Sequence, residues 1–303
     1  EQGAKWENHW SFEPIGDTKV PTNDSTWPQN NIDEFVLSSL IQQSVSPSKP
    51  ANPETWLRRV SFDLTGLPPS VDRLQKFIQD PSPKAREAEV DYLLSTVDYA
   101  ERMALLWLDG ARYADSNGFQ FDTARTMWPW RDWVIQAYSQ NMPYDQFVRE
   151  QVAGDLLPNP TQDQLIATGF NRNHGYTYEG GTIDEEYRVI YANDKTTTFG
   201  TLFLGLTLEC TRCHDHKYDP LSMEDYYSMF AFFNTSAEKG NPGQQSRATK
   251  AAAPYLEVYS GKKNPIHANW KLLKPTKVVA EKQNLQIQKD HSIKATGEVP
   301  SSD

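Results

Sequence analysis

The sequence predicts a mainly α fold: an irregular multi-helix domain with an extended N-terminal arm and a short β-type C-terminal segment. Three observations carry this. Apolar residues recur at helical spacing between Ile32 and Phe233, each periodic stretch has a start or stop residue, and composition changes abruptly after Glu238. With 303 residues, 38% of them hydrophobic, the chain can bury a sizeable core, and 9 Trp, 14 Tyr and 13 Phe will dominate it.

Glu1 to Asn31 is rich in Pro, Asn and Trp without periodicity and reads as an arm anchored by Trp6, Trp10 and Phe12. The first helix is expected over Ile32–Gln43 and the second over Pro53–Leu64, stopped at Gly66. Ser70 caps a helix burying Leu74, Phe77 and Ile78, and Ser82-Pro83 opens one that turns Val90, Leu93, Leu94 and Val97 inward. Tyr99–Tyr113, Trp130–Gln140 and Pro143–Gln151 are amphipathic. Thr161 caps a short helix ending near Gly169, and Thr182-Ile183-Asp184-Glu185 has the pattern of a capping box before a run through Tyr191. Phe199, Leu202, Phe203, Leu206 and Leu208 then lead the chain into the interior, and Ser222 to Asp225 caps the aromatic helix Tyr226–Phe233.

The domain division that follows is 1–240 for the helical domain with its arm, 241–269 for a linker rich in Gly, Gln, Ser and Lys, and 270–303 for the start of a β-rich insertion. The last segment holds short apolar pairs such as Val278-Val279 and ends without a closing element, as a truncated chain would.

A net charge of -10 and a pI near 5.2 speak against nucleic acid as a partner. No apolar run reaches the roughly 18 residues that span a bilayer. The chain begins at Glu1 without a signal peptide, as expected after signal removal or excision from a longer chain. The two cysteines lie three positions apart, too close to staple distant parts of a fold, and suggest a shared ligand.

Cys210-Thr211-Arg212-Cys213-His214 has the spacing C-x-x-C-H of covalent haem attachment. Two thiols separated by two residues can form thioethers along one porphyrin edge, and the adjacent imidazole becomes the proximal iron ligand. The expected cofactor is therefore one covalently attached haem c on Cys210, Cys213 and His214. The rival is zinc on Cys210, Cys213, His214 and His216, although seven residues are a short span for a structural zinc site. Attachment chemistry places such a protein in the periplasm or at the cell surface.

The chain also resembles a known family over roughly His9 to Gly240. The resemblance runs through His9-Trp10-Ser11-Phe12, Arg58 to Pro69 (RRVSFDLTGLPP), Ala111 to Gly118 (ARYADSNG), Ala153 to Pro158 (AGDLLP) and Cys210 to Pro220. These segments are similar to the planctomycete-type cytochrome domain of unknown function, the second PSCyt domain of large secreted proteins in planctomycetes and their relatives. The resemblance implies a secreted haem c protein whose redox partner is another cytochrome domain. It also implies an association with polysaccharide degradation, which carries no mechanism.

For the other side of the iron the sequence offers His174, as sixth ligand or distal residue, against a plain hydrogen-bonded loop histidine. Met103, Met127, Met142, Met223 and Met229 are weaker candidates, since methionine usually fills core volume. Arg172 and Arg212 are candidates for haem propionates, with Arg172 also a distal assistant beside His174. Tyr218, Tyr226 and Tyr227 are candidates to pack on the haem, Glu179 is a candidate acid or base, and His216 has a supporting or surface role. Asp115 to Gly118 with Asp122 resembles half a calcium loop, with an Asx turn the simpler reading. The functions consistent with these residues are electron transfer first, then a haem enzyme activating peroxide or oxygen, then a zinc-binding or surface interaction module.

Overall fold

The computed structural model of the chain describes residues 9–241, 253–258, 284–287, 289 and 293–296. Backbone contacts divide the chain into a unit Glu1–Val258 and a unit Tyr259–Asp303. Among the described residues, the first unit is mainly helical, as the sequence predicts.

Its helices begin where side chains can satisfy the free N–H groups of a first turn. Asn30, Asn52, Ser70, Ser82 and Thr96 cap α1 (Asn31–Gln42), α2 (Pro53–Thr65), α3 (Val71–Gln79), α4 (Pro83–Leu94) and α5 (Val97–Gly110). Helix α2 stops at Gly66, whose φ of 71° is one that residues with a Cβ rarely adopt. Then come α6 (Trp128–Ser139), α7 (Tyr144–Ala153) and α8 (Gln162–Ala167), the last opened by a Thr161–Gln164 capping box. Helix α9 (Asp184–Phe199) packs on α10 (Met223–Asn234), while α5 packs on α2 and α6.

Four departures from the sequence reading have physical causes. Trp10 and Phe12 form an exposed 3-10 turn with His9 instead of anchoring the arm, and Trp6 lies outside the described residues. Ile78, Leu94 and Val97 are exposed, while Phe77 and Leu93 are buried and Leu74 and Val90 half-buried on the inward stripe. The Thr182–Glu185 capping box does not form: Thr182 donates to Glu179 O and Glu185 pairs with Arg188 at 2.6 Å. Helix α9 also runs on to Phe199, well past Tyr191.

The end of α9 sets the approach to the cysteines. The helix widens into a π turn, Gly200–Leu204, and Gly205 (φ 66°) reverses the chain, so that Leu206 N donates to Gly200 O at 2.9 Å. A Cβ on Gly200 would stand 2.5 Å from Leu208 Cδ1, so only glycine lets Leu208 pack this close. Phe203 of the same turn meets Trp107 and Phe170, at ring separations of 5.3 and 5.0 Å. Trp107 in turn meets Phe147, which stacks on Trp133, and its indole N–H donates to Gln151. This aromatic column joins α5, α6 and α7 to the π turn.

In the second unit, β1 (Asn284–Ile287) and β2 (Ile293–Thr296) form an antiparallel pair, with Asn284 opposite Thr296 and Ile287 opposite Ile293. The expected apolar pair Val278-Val279, the segment from Trp270 to Pro275 and most of the 241–269 linker lie outside the described residues. Among the described residues no helix is long and apolar enough to cross a membrane.

Phe147 is buried at the centre of the column, so Phe147→Ala should destabilise the first unit by about 3–5 kcal/mol. Urea unfolding followed by tryptophan fluorescence measures this, and a loss below about 1 kcal/mol would contradict a load carried by these rings.

Candidate functional site

The chain leaves Gly205 into a 3-10 turn, Leu208–Arg212, packed against α9 and α10. Three residues per turn put Leu208 and Thr211 on one side, and both are buried, with Thr211 Oγ1 donating to Leu208 O at 2.6 Å. Cys210 and Cys213 are free thiols and exposed, as are Arg212 and His214. The turn is thus anchored by its apolar side and offers its chemistry outward.

His214 Nδ1 lies 2.8 Å from the carbonyl of Asp215. A carbonyl can only accept, so Nδ1 donates and the lone pair of a neutral ring is left on Nε2. The same Asp215 fixes the start of α10, since its Oδ1 accepts from Met223 N at 2.9 Å. Tyr227 of α10 donates from its hydroxyl to Arg212 O, between the two cysteines. Tyr218, Met223 and Tyr227 remain exposed, whereas Tyr226 is buried and donates to Asn193 Oδ1 at 3.0 Å.

His216 does not join these donors. Its Nδ1 accepts from Asp219 N at 2.9 Å and Tyr218 N at 3.3 Å, so the ring serves its own loop. Among the described residues no group of three or more His, Cys, Asp or Glu side chains is arranged to hold a metal ion.

A second cluster was not legible as such in the sequence. The Glu238 carboxylate, on the segment after α10, is buried among Lys195, Arg172, His174 and Tyr176. Lys195 Nζ binds Oε2, while Tyr176 Oη, His174 Nε2 (2.9 Å) and Arg172 Nε (3.2 Å) converge on Oε1. Burial alone would raise the Glu238 carboxyl. The hydrogen bond from His174 and the charges of Arg172 and Lys195 outweigh it, holding the group well below the usual carboxylate range.

His174 therefore stands in the interior, not in an open loop. Its ring is buried and stacks on Tyr191 at 4.5 Å, and its Nδ1 lies 2.8 Å from Gly175 O. Burial lowers its pKa to about 4 against the opposing pull of Glu238. The single proton of the neutral ring goes from Nε2 to Glu238, while Nδ1 stands 2.8 Å from the carbonyl of Gly175 in the closed interior, so iron has no approach to either nitrogen. Arg172 is likewise engaged with Glu238 and lies over the Tyr176 ring at 5.2 Å.

The peptide carrying these residues is held by Arg125, a second residue missed in the sequence. Its buried guanidinium donates to the carbonyls of His174 (2.8 Å), Asn173 (2.9 Å) and Ala114 (3.3 Å). Arg125 itself leaves the Asp115–Asp122 loop, where Gly118 N donates to Asp122 Oδ1 and Asn117 Nδ2 to Thr123 O. The loop is thus closed by its own side chains, Asp122 accepting and Asn117 donating across it. Glu179 contributes through its backbone, its carbonyl accepting from Thr182 Oγ1 and Asn241 Nδ2.

A family model matches residues 31–238, that of PSCyt2, a protein of unknown function (DUF1549). The chain belongs to the PSCyt2 family. The PSCyt2 match begins at α1, leaves the arm outside, and ends on Glu238, so it takes in both the cysteine turn and the buried cluster. No curated protein and no solved structure matches the chain.

Two outcomes follow for the cluster. Glu238→Ala should cost about 3–5 kcal/mol in urea unfolding, because it leaves Lys195 and Arg172 buried without their carboxylate, and a cost under about 1 kcal/mol would refute the pairing. Stability should also fall with acid. The unfolded chain protonates His174 near 6.5 but the folded chain only near 4, so this contribution is full above pH 6.5 and is lost as pH drops towards 4. Between pH 7.5 and 5 the loss is about 2 kcal/mol, and His174→Phe should flatten it.

Proposed function

We propose that this chain carries one haem c, joined through Cys210 and Cys213 with His214 as the axial ligand, and serves electron transfer. The observation that carries this reading is the 3-10 turn: Leu208 and Thr211 point inward while both thiols and the imidazole stand exposed. The residues fit the group, since two thiols near in sequence meet one porphyrin edge and His214 keeps Nε2 unengaged by Asp215.

When bound, the group supplies a one-electron couple at iron. The chain's own contribution is to tether it, orient the axial imidazole and leave one edge open. The Asp215 carbonyl accepts a hydrogen bond from His214 Nδ1, which fixes the tautomer and the direction of the ring, the usual role of a carbonyl behind a ligating histidine. Arg212, exposed within the motif, is the arginine available to a propionate, since Arg172 faces Glu238. The zinc alternative is weakened by His216, whose Nδ1 lone pair is used within its loop. With His174 buried and both its nitrogens walled off by Glu238 and the Gly175 carbonyl, nothing favours it as a distal residue for peroxide or oxygen activation. The compartment that matches covalent attachment is the periplasm or cell surface, and the partner a second cytochrome domain.

Expression beside a haem-attachment apparatus, followed by acid-acetone extraction and a pyridine haemochrome assay, tests this. A c-type band retained after extraction is expected, and it should vanish in the Cys210→Ala, Cys213→Ala double variant. Stoichiometric zinc without haem would overturn the reading. A low-spin spectrum indifferent to cyanide and carbon monoxide supports electron transfer; high-spin iron that binds them supports a haem enzyme.

A further inference from the structure

We infer that His216 is the positioning residue for His214, acting as the acceptor that fixes the loop on which the axial imidazole turns. This rests on the haem reading above. Four hydrogen bonds define the loop: His216 N donates to Leu221 O (2.8 Å), Leu221 N to Asp219 O (2.8 Å), and Asp219 N (2.9 Å) and Tyr218 N (3.3 Å) to His216 Nδ1. The ring is mostly buried, 13% exposed, and closes the loop from inside. It also lies 3.5 Å from Asp219 Oδ2, the acidic group facing it.

Between the two histidines stands Asp215, whose carbonyl aligns His214 and whose side chain holds Met223 N. The direction of that carbonyl is therefore set from both sides, by α10 through Met223 and by the loop through His216. Without the His216 acceptor, the Tyr218 and Asp219 amides lose their partner and the loop has reason to turn. The carbonyl behind His214 would then lose its alignment.

The role makes a distinction between two amide substitutions. Asparagine places its oxygen near the position of Nδ1 and can accept from the same amides, whereas glutamine carries its amide out towards Nε2. An acceptor role requires that His216→Asn rescue and His216→Gln not. A metal-ligand role through Nε2 reverses the order or fails in both.

Wild type, H216N and H216Q are to be matured with the haem-attachment apparatus and compared for haem per chain and ferric absorption spectrum. Hydrogen exchange of the Asp219 amide in the haem-free proteins reports the loop itself. H216N should keep haem within about twofold of wild type with a protected Asp219 amide, and H216Q should lose about tenfold with that amide open. Equal loss in both variants, or no loss in H216Q, overturns the positioning role while the haem reading stands. A wild type that binds no haem overturns the haem reading and this role with it.

Discussion

The fold closes on one carboxylate. Glu238 sits on the segment beyond the last helix, yet it is buried against Lys195 of α9 and against Arg172, His174 and Tyr176 of the preceding loop. Taking these groups out of water costs several kcal/mol per ion, and only mutual pairing offsets it. The chain around Glu238 must therefore lie where it does. Gly240 follows, where any Cβ would run into the backbone of Asp184 and Arg188, its carbonyl accepts from Tyr191 Oη, and Asn241 N donates to Asp184 Oδ1. The strap is thus tied to the start of α9 through Asp184, where the sequence expected Thr182 and Glu185 to form a cap.

That closure fixes the platform under the cysteine turn. Helix α9 binds the strap near its start and ends in the π turn leading towards Cys210, while α10 holds Asp215 and Arg212 from its first two turns. Tyr226, between Met223 and Tyr227 on α10, joins the helices through Asn193. The exposed donors thus stand beside a helix, α9, that is held at its start by Gly240 and Asn241 and towards its end by the Lys195–Glu238 pair and the Gly200–Leu208 contact.

Much of this is local and so was legible. Asn52, Ser70, Ser82, Thr161 and Ser222 cap helices as their types require, and Gly66 stops α2 in the left-handed region. The C-x-x-C-H spacing marks the candidate donors, and the three-residue separation of Leu208 and Thr211 is enough to say which side faces in. The buried cluster was hidden because its members lie up to 66 positions apart and each reads as polar surface: Arg172 and His174 among asparagines, Glu238 at a change of composition. What buries the 172–174 peptide is Arg125, which supplies its carbonyls with donors that water would otherwise give. Lys195, a lone cation on a helix face of threonines and alanine, was the one available signal.

The position of Glu238 bears on where this protein can be cut. Helical pattern alone ends the first unit at Asn234, the last residue of α10. A recombinant fragment trimmed there would keep every helix and every candidate haem residue, yet would lose the acid that neutralises Arg172 and Lys195 and the glycine on which Tyr191 closes. Seven residues without regular structure, Thr235 to Asn241, decide whether the helical unit can be handled in isolation.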